Sequence, residues 1–152
     1  MGVITSMSAN LTLIVCLGST LYMTGVIVFV QVVHYPLFKL VESGAFVRFH
    51  DAHVRRTTYV VMVPMIVELI TSVTLVFHRP ESVPGWLTWA GLFAASLTWV
   101  ATGLISVPDH DRLSKGFDVD FHRRLVQTNL IRVFAWSAHS LVLLVMTGHA
   151  LR

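Results

Sequence analysis

Charge is what this chain has least of. Only 12% of its 152 residues are Asp, Glu, Lys or Arg, 55% are hydrophobic, and the mean hydropathy is +0.72. A soluble domain carries about 25% charged residues, so the sequence lacks the side chains to cover itself with a water-facing surface. Cysteine is scarcer still: Cys16 stands alone, which excludes an intramolecular disulfide framework. There is no His-Glu-x-x-His, no Glu-x-x-His pair of the soluble di-iron bundles, no nucleic-acid motif and no internal repeat.

Long apolar stretches fill the space instead. Leu11–Val33, Thr57–Phe77, Trp86–Ser106 and Leu130–Thr147 each approach the ~20 residues that cross a bilayer as a helix. Together they use most of the chain and leave no room for a second domain. The expectation is one all-α domain over residues 1–152, an integral membrane four-helix up-down bundle with helices over about 9–34, 44–78, 85–107 and 119–149. The first stretch reads as a retained helix and not a signal peptide. Residues 1–10 hold no Lys or Arg, and no small-x-small cleavage site closes the stretch. Leu13-Ile14-Val15-Cys16 has bulky Val15 where a lipoprotein box needs a small residue.

Breakers set the ends. Tyr35-Pro36 should end helix 1, with Leu37–Glu42 running along the interface, and Val107-Pro108 should end helix 3 before a polar loop. Ser43-Gly44 is a start signal for helix 2, which then projects about ten residues, or ~15 Å, beyond the bilayer. Pro64 is placed to kink it. Asp118 or Asp120 can cap helix 4, which also begins before the membrane. Trp86 and Trp89 suit the opposite interface. Nine of the eleven Lys/Arg lie at the end shared by His34, His50, His53, His110 and His122; only Arg79 and Arg152 lie opposite. The positive-inside rule puts that end in the cytoplasm and both termini outside, and chain length with this bias suits a prokaryotic inner membrane. The net charge of +3 reflects this topology.

Each helix carries a polar stripe at steps of three, four or seven, the spacing of one helical face. The stripes read Thr20, Thr24, Gln31, His34; then His50, His53, Thr57, Pro64, Glu68, Thr71; then Thr88, Ala95, Thr102, Asp109; and His122, Asn129, Arg132, Trp136, His139. In lipid such faces turn inward, and their Ser and Thr hydroxyls serve as interhelical glue. Five histidines therefore gather at one end. His50 and His53, one turn apart, with His34, His110 or His122, offer three or four ligands for iron, copper or zinc. Hydrogen-bonded interfacial histidines are the plainer reading. Deeper, Glu68 lies about eleven residues down helix 2 and His139 about nine down helix 4, both ~15 Å in, so they can meet. An intramembrane carboxylate calls for a partner and marks function by default. Arg132 can snorkel, hold Asp109, or hold a substrate's anionic group. Tyr22, Tyr59, Phe93, Trp99, Phe134 and Trp136 are candidates to line an apolar pocket.

Three segments carry a likeness: Val33-His34-Tyr35-Pro36-Leu37-Phe38, Val107-Pro108-Asp109-His110-Asp111-Arg112-Leu113, and Arg124-Leu125-Val126-Gln127-Thr128-Asn129-Leu130-Ile131-Arg132. With the four-helix layout, the chain resembles the small bacterial and fungal membrane proteins grouped with anthrone oxygenase. It departs from them where Asp109-His110-Asp111 replaces an Asn-bearing loop, and in its His50/His53 pair. The resemblance implies oxidation of a lipophilic aromatic compound at the membrane.

The reading that unites these features is a metal-dependent membrane oxidoreductase or oxygenase acting on a lipophilic substrate from the bilayer. Its metal would be held by His50 and His53 with others of His34, His110 and His122. Glu68, His139 and Arg132 would move protons or position substrate. Two rivals stand beside it. One is an electron-transfer subunit binding quinone or haem b, the haem ligated by His34 and His122 or by His53 and His110. The other is a proton-coupled carrier, which with four helices requires a homo-oligomer, or a structural subunit.

Overall fold

The computed structural model describes residues 2–152, with side chains from Met7 onward. Four helices, α1 (Met7–Leu40), α2 (Ser43–Phe77), α3 (Gly85–Leu113) and α4 (Val119–Ala150), are each long and apolar enough to cross a bilayer. Each packs against its neighbours in chain order, and α4 closes the ring against α1. Ser8 in α1 meets His78 just after α2 (Oγ···Nε2 2.8 Å), as an up-down course requires. The protein is an integral membrane four-helix bundle. Phe29, Val63, Phe93 and Phe134 lie exposed on its outer face, where lipid makes apolar side chains welcome.

The polar stripes face inward. Thr20, His50, His53, Glu68, Thr88, Asp109, His122, Asn129, Arg132 and His139 are all buried. Two apolar clusters flank them. One, toward the histidine-rich end, includes Met23, Ile27, Phe38, Phe46, Leu125 and Trp136; the other, toward the opposite end, includes Leu13, Leu75, Leu87, Leu143 and Met146. Asp118 is the cap of α4: its Oδ1 accepts the Asp120 and Phe121 N–H groups at 2.9 and 3.0 Å. Pro64 sits inside α2 without ending it.

Two expected helix ends are corrected. α1 does not stop at His34, because helical turns continue to Leu40. α3 likewise runs past Val107-Pro108 to Leu113. The same device carries both helices through proline. A π turn at Val30–His34 bonds the Tyr35 N–H to the Val30 carbonyl, and a second at Thr102–Ser106 bonds the Val107 N–H to the Thr102 carbonyl. Pro36 and Pro108 come immediately after, in the first turn of the next segment. Proline has no N–H to place, and its ring clashes with the carbonyl four residues back in a regular helix. A turn wider by one residue removes that clash. It also rotates the next helical segment, so that Tyr35, Phe38 and Asp109 point inward, 2%, 0% and 1% exposed. Such bulges are frequent at functional sites.

Candidate functional site

Midway along the bundle, Glu68 is saturated. Its Oε1 accepts from Thr20 Oγ1 (3.1 Å) and His139 Nδ1 (2.7 Å), and its Oε2 accepts from Trp136 Nε1 (2.8 Å). All four side chains are buried to 0% exposure. Cys16 Sγ and Ser72 Oγ lie 3.4 Å apart alongside. The far side of His139 packs against Gly91, where a β-carbon would come within 3.4 Å of Nε2. The crevice there, between His139, Gly91, Thr88 and Leu143, has no room for water. Glu68 and His139 thus meet, as their depths predict, in a dry network in which the Glu68 carboxyl is fully hydrogen-bonded and His139 Nε2, against Gly91, has no protein partner.

The histidine-rich end is built differently. His34 Nε2 lies 2.7 Å from His53 Nδ1, and His50 Nε2 lies 3.0 Å from His110 Nδ1. Thr57 Oγ1 also reaches His53 Nδ1 (3.1 Å), and Tyr35 Oη reaches His110 Nε2 (3.0 Å). The His53 and His110 rings, 5.4 Å apart, join the two pairs into one cluster. His122 stands aside: its Nε2–H donates to the Tyr35 carbonyl at 2.8 Å, and its ring stacks on Phe38 at 6.1 Å. Phe38 is the hub, edge-on to His34, His50 and His53 at 5.1–6.0 Å. Tyr35 and Phe38 are functional neighbours that the reading of Tyr35-Pro36 as a helix end overlooked. The i, i+4 spacing of His34 and Phe38 was the available signal.

Beside these rings lies a cavity of about 140 Å³. Tyr35, His53, His110, Ser106 and Arg132 give it polar groups; Val54, Val61 and Val107, from α2 and α3, give it an apolar wall. Val54 and Val107 are exposed on the outer face, so the cavity opens at the seam between α2 and α3. Arg132, one of its lining residues, is only 7% exposed. Its Nη1 donates to Ser106 Oγ (3.1 Å) and its guanidinium lies 5.5 Å from the Trp136 ring. Nε has no protein acceptor. Asp109, one of the alternatives considered for Arg132, faces Arg124 (3.4 Å, not aligned as a hydrogen bond), and burial excludes snorkelling. Of the aromatic residues proposed to line a pocket, Tyr22, Tyr59, Phe93 and Phe134 face outward and Trp136 packs in the core.

The fit to cofactors is decided by these positions. Among the described residues, no three His, Cys, Asp or Glu side chains are arranged to share one metal ion. The four clustered imidazoles pair by hydrogen bonding instead. Of the two haem pairs, His53 and His110 line the cavity and are hydrogen-bonded into the cluster, while His34 and His122 line two separate hollows. The chain is thus a polytopic membrane protein with a histidine-lined cavity at one end. Comparison with family models, curated proteins and solved structures finds no match.

Proposed function

We propose that the protein is a membrane-embedded oxidoreductase of the oxygenase type, working at the histidine-lined cavity on a lipophilic substrate that enters between α2 and α3. One observation carries this reading: four imidazoles form a cluster beside a cavity with polar groups on one side and valines of the α2–α3 seam on the other. Each N···N contact pairs a protonated nitrogen with a bare one, so the rings can take up a proton and pass it on. His53 or His110, which line the cavity, would remove a proton from the substrate; His34 or His50 would receive it. The carbanion is then oxidised by dioxygen: a CH2 group becomes a carbonyl, one oxygen atom entering the product and the other leaving with the two hydrogens as water, so that the substrate supplies all four electrons. The anthrone oxygenase resemblance favours this chemistry, and the basic end would face the cytoplasm. Dioxygen uptake by the purified protein in nanodiscs, with an anthrone as substrate, tests it. Uptake should be lost in His53→Ala and His110→Ala, and unchanged uptake in both would refute the assignment.

Metal assistance is the second reading, favoured by imidazole nitrogens only 2.7 and 3.0 Å apart. Iron, copper or zinc would draw donors from His34, His50, His53 and His110. The two N···N hydrogen bonds would have to open first. Elemental analysis of protein purified without a histidine tag or chelator decides it. Stoichiometric metal lost in a His50→Ala/His53→Ala variant is the supporting result.

A further inference from the structure

Arg132 is the buried charge that the proton-handling scheme leaves unused. Its burial is nearly complete, and among the described residues no carboxylate lies within ion-pair distance of its guanidinium. Its surroundings are hydroxyls, imidazoles and a ring: Ser106, Tyr35, His110, His53 and Trp136. Asp111 also lines the cavity, but it is exposed and makes no ion pair with Arg132. Of the buried acids, Asp109 faces Arg124 and Glu68 is committed to three other donors. A guanidinium held in an apolar bundle without a counter-charge is expensive. Two features make it purposeful: Nε–H has no acceptor, and the same side chain lines the cavity.

We infer that Arg132 anchors an oxyanion. The cavity takes a carboxylate, enolate or phenolate carried on an apolar body, with the oxyanion at the guanidinium and the body against Val54, Val61 and Val107. The planar guanidinium matches a planar oxyanion and is weakly hydrated, so it suits a low-dielectric site better than lysine does. The Ser106 hydroxyl fixes Nη1, and Trp136 backs the guanidinium from the side of the Glu68 network. The volume admits an oxyanion head and a few carbons, so the remainder of the ligand extends through the α2–α3 seam into lipid. This inference rests on the cavity being the substrate site and adds the substrate's chemical class. Arg132 becomes a substrate-positioning residue, and an enolate formed by His53 or His110 would be held where it forms.

Calorimetric titration of the purified protein in dodecyl maltoside micelles, against matched empty micelles, tests this with dodecanoate and dodecan-1-ol. The wild type should bind dodecanoate at least tenfold more tightly than the alcohol. Arg132→Met should bring the ratio close to one. Arg132→Lys, which keeps the charge and so guards against loss of fold, should leave it intermediate. Dodecyl phosphate in place of dodecanoate separates the sources of the anion: tighter binding of the phosphate would overturn a planar oxyanion in favour of a lipid headgroup. Equal affinity for dodecanoate and dodecan-1-ol would overturn the anion assignment while leaving a site for lipophilic compounds. Failure to bind either would overturn both the anion assignment and the substrate reading of the cavity.

Discussion

Glu68 and Arg132 are both ionisable side chains buried inside a membrane bundle, and their surroundings differ. Glu68, on α2, receives hydrogen bonds from two other helices, from α1 through Thr20 and from α4 through Trp136 and His139. The crevice on the far side of His139 has no room for water. Arg132 has the Ser106 and Tyr35 hydroxyls beside it, an Nε without an acceptor, and a 140 Å³ cavity at its side. A saturated buried network fixes which helices sit together and in what rotation. An unsaturated one weakens the fold and is retained when something else uses it. By that criterion the Glu68 carboxyl, with every partner made, is the bundle's lock, and the histidine-rich end is where the proposed chemistry would take place.

Several changes would sharpen or break that contrast. The largest effect is expected on turnover. Replacing His53 and His110 by alanine should lower the rate by roughly 10²–10⁴-fold, the usual contribution of general acid–base groups, with helicity by circular dichroism retained. Next comes stability at the lock. Glu68→Ala strands three buried donors and should lose about 3–5 kcal/mol in a denaturant titration, whereas Glu68→Gln keeps an acceptor and should lose less. A comparable loss in the histidine variants would erase the distinction between the two regions. Gly91→Val should cost about 1–3 kcal/mol by pressing on His139. Gly103→Ala, in the π turn with nothing within 4 Å of the new β-carbon, should be close to neutral. Asp118→Ala removes the cap of α4, and thermal melting should report about 1 kcal/mol.

Much of this was legible in the sequence. Apolar run lengths gave the four helices, and the spacing of polar residues gave their inward faces. Equal depth along neighbouring helices brought Glu68 to His139. Hairpin order brought His34, His50, His53 and His110 to one end. The two π turns were not legible. Tyr35-Pro36 and Val107-Pro108 carry an ordinary stop signal, and hydropathy is blind to one extra residue in a turn. With the turns went Tyr35 and Phe38, now central to the histidine cluster, and the separate position of His122 on the Tyr35 carbonyl. Aromatic residues misled for a related reason. In a bilayer the outer face accepts Tyr22, Tyr59, Phe93 and Phe134 as readily as a pocket would, so aromaticity alone does not give direction. Asp109 turned to Arg124 because the helical extension of α3 carries it toward α4 near the bundle's end.

The most direct test compares the unfolding free energies of Arg132→Met and Glu68→Ala with the wild type, in one detergent and with one denaturant. If the histidine-rich end holds its charge for function, Arg132→Met should be as stable as the wild type or more so, while Glu68→Ala falls by several kcal/mol. A loss in Arg132→Met as large as that in Glu68→Ala would show that Arg132 is part of the lock, and would contradict the division of labour on which the proposed site depends.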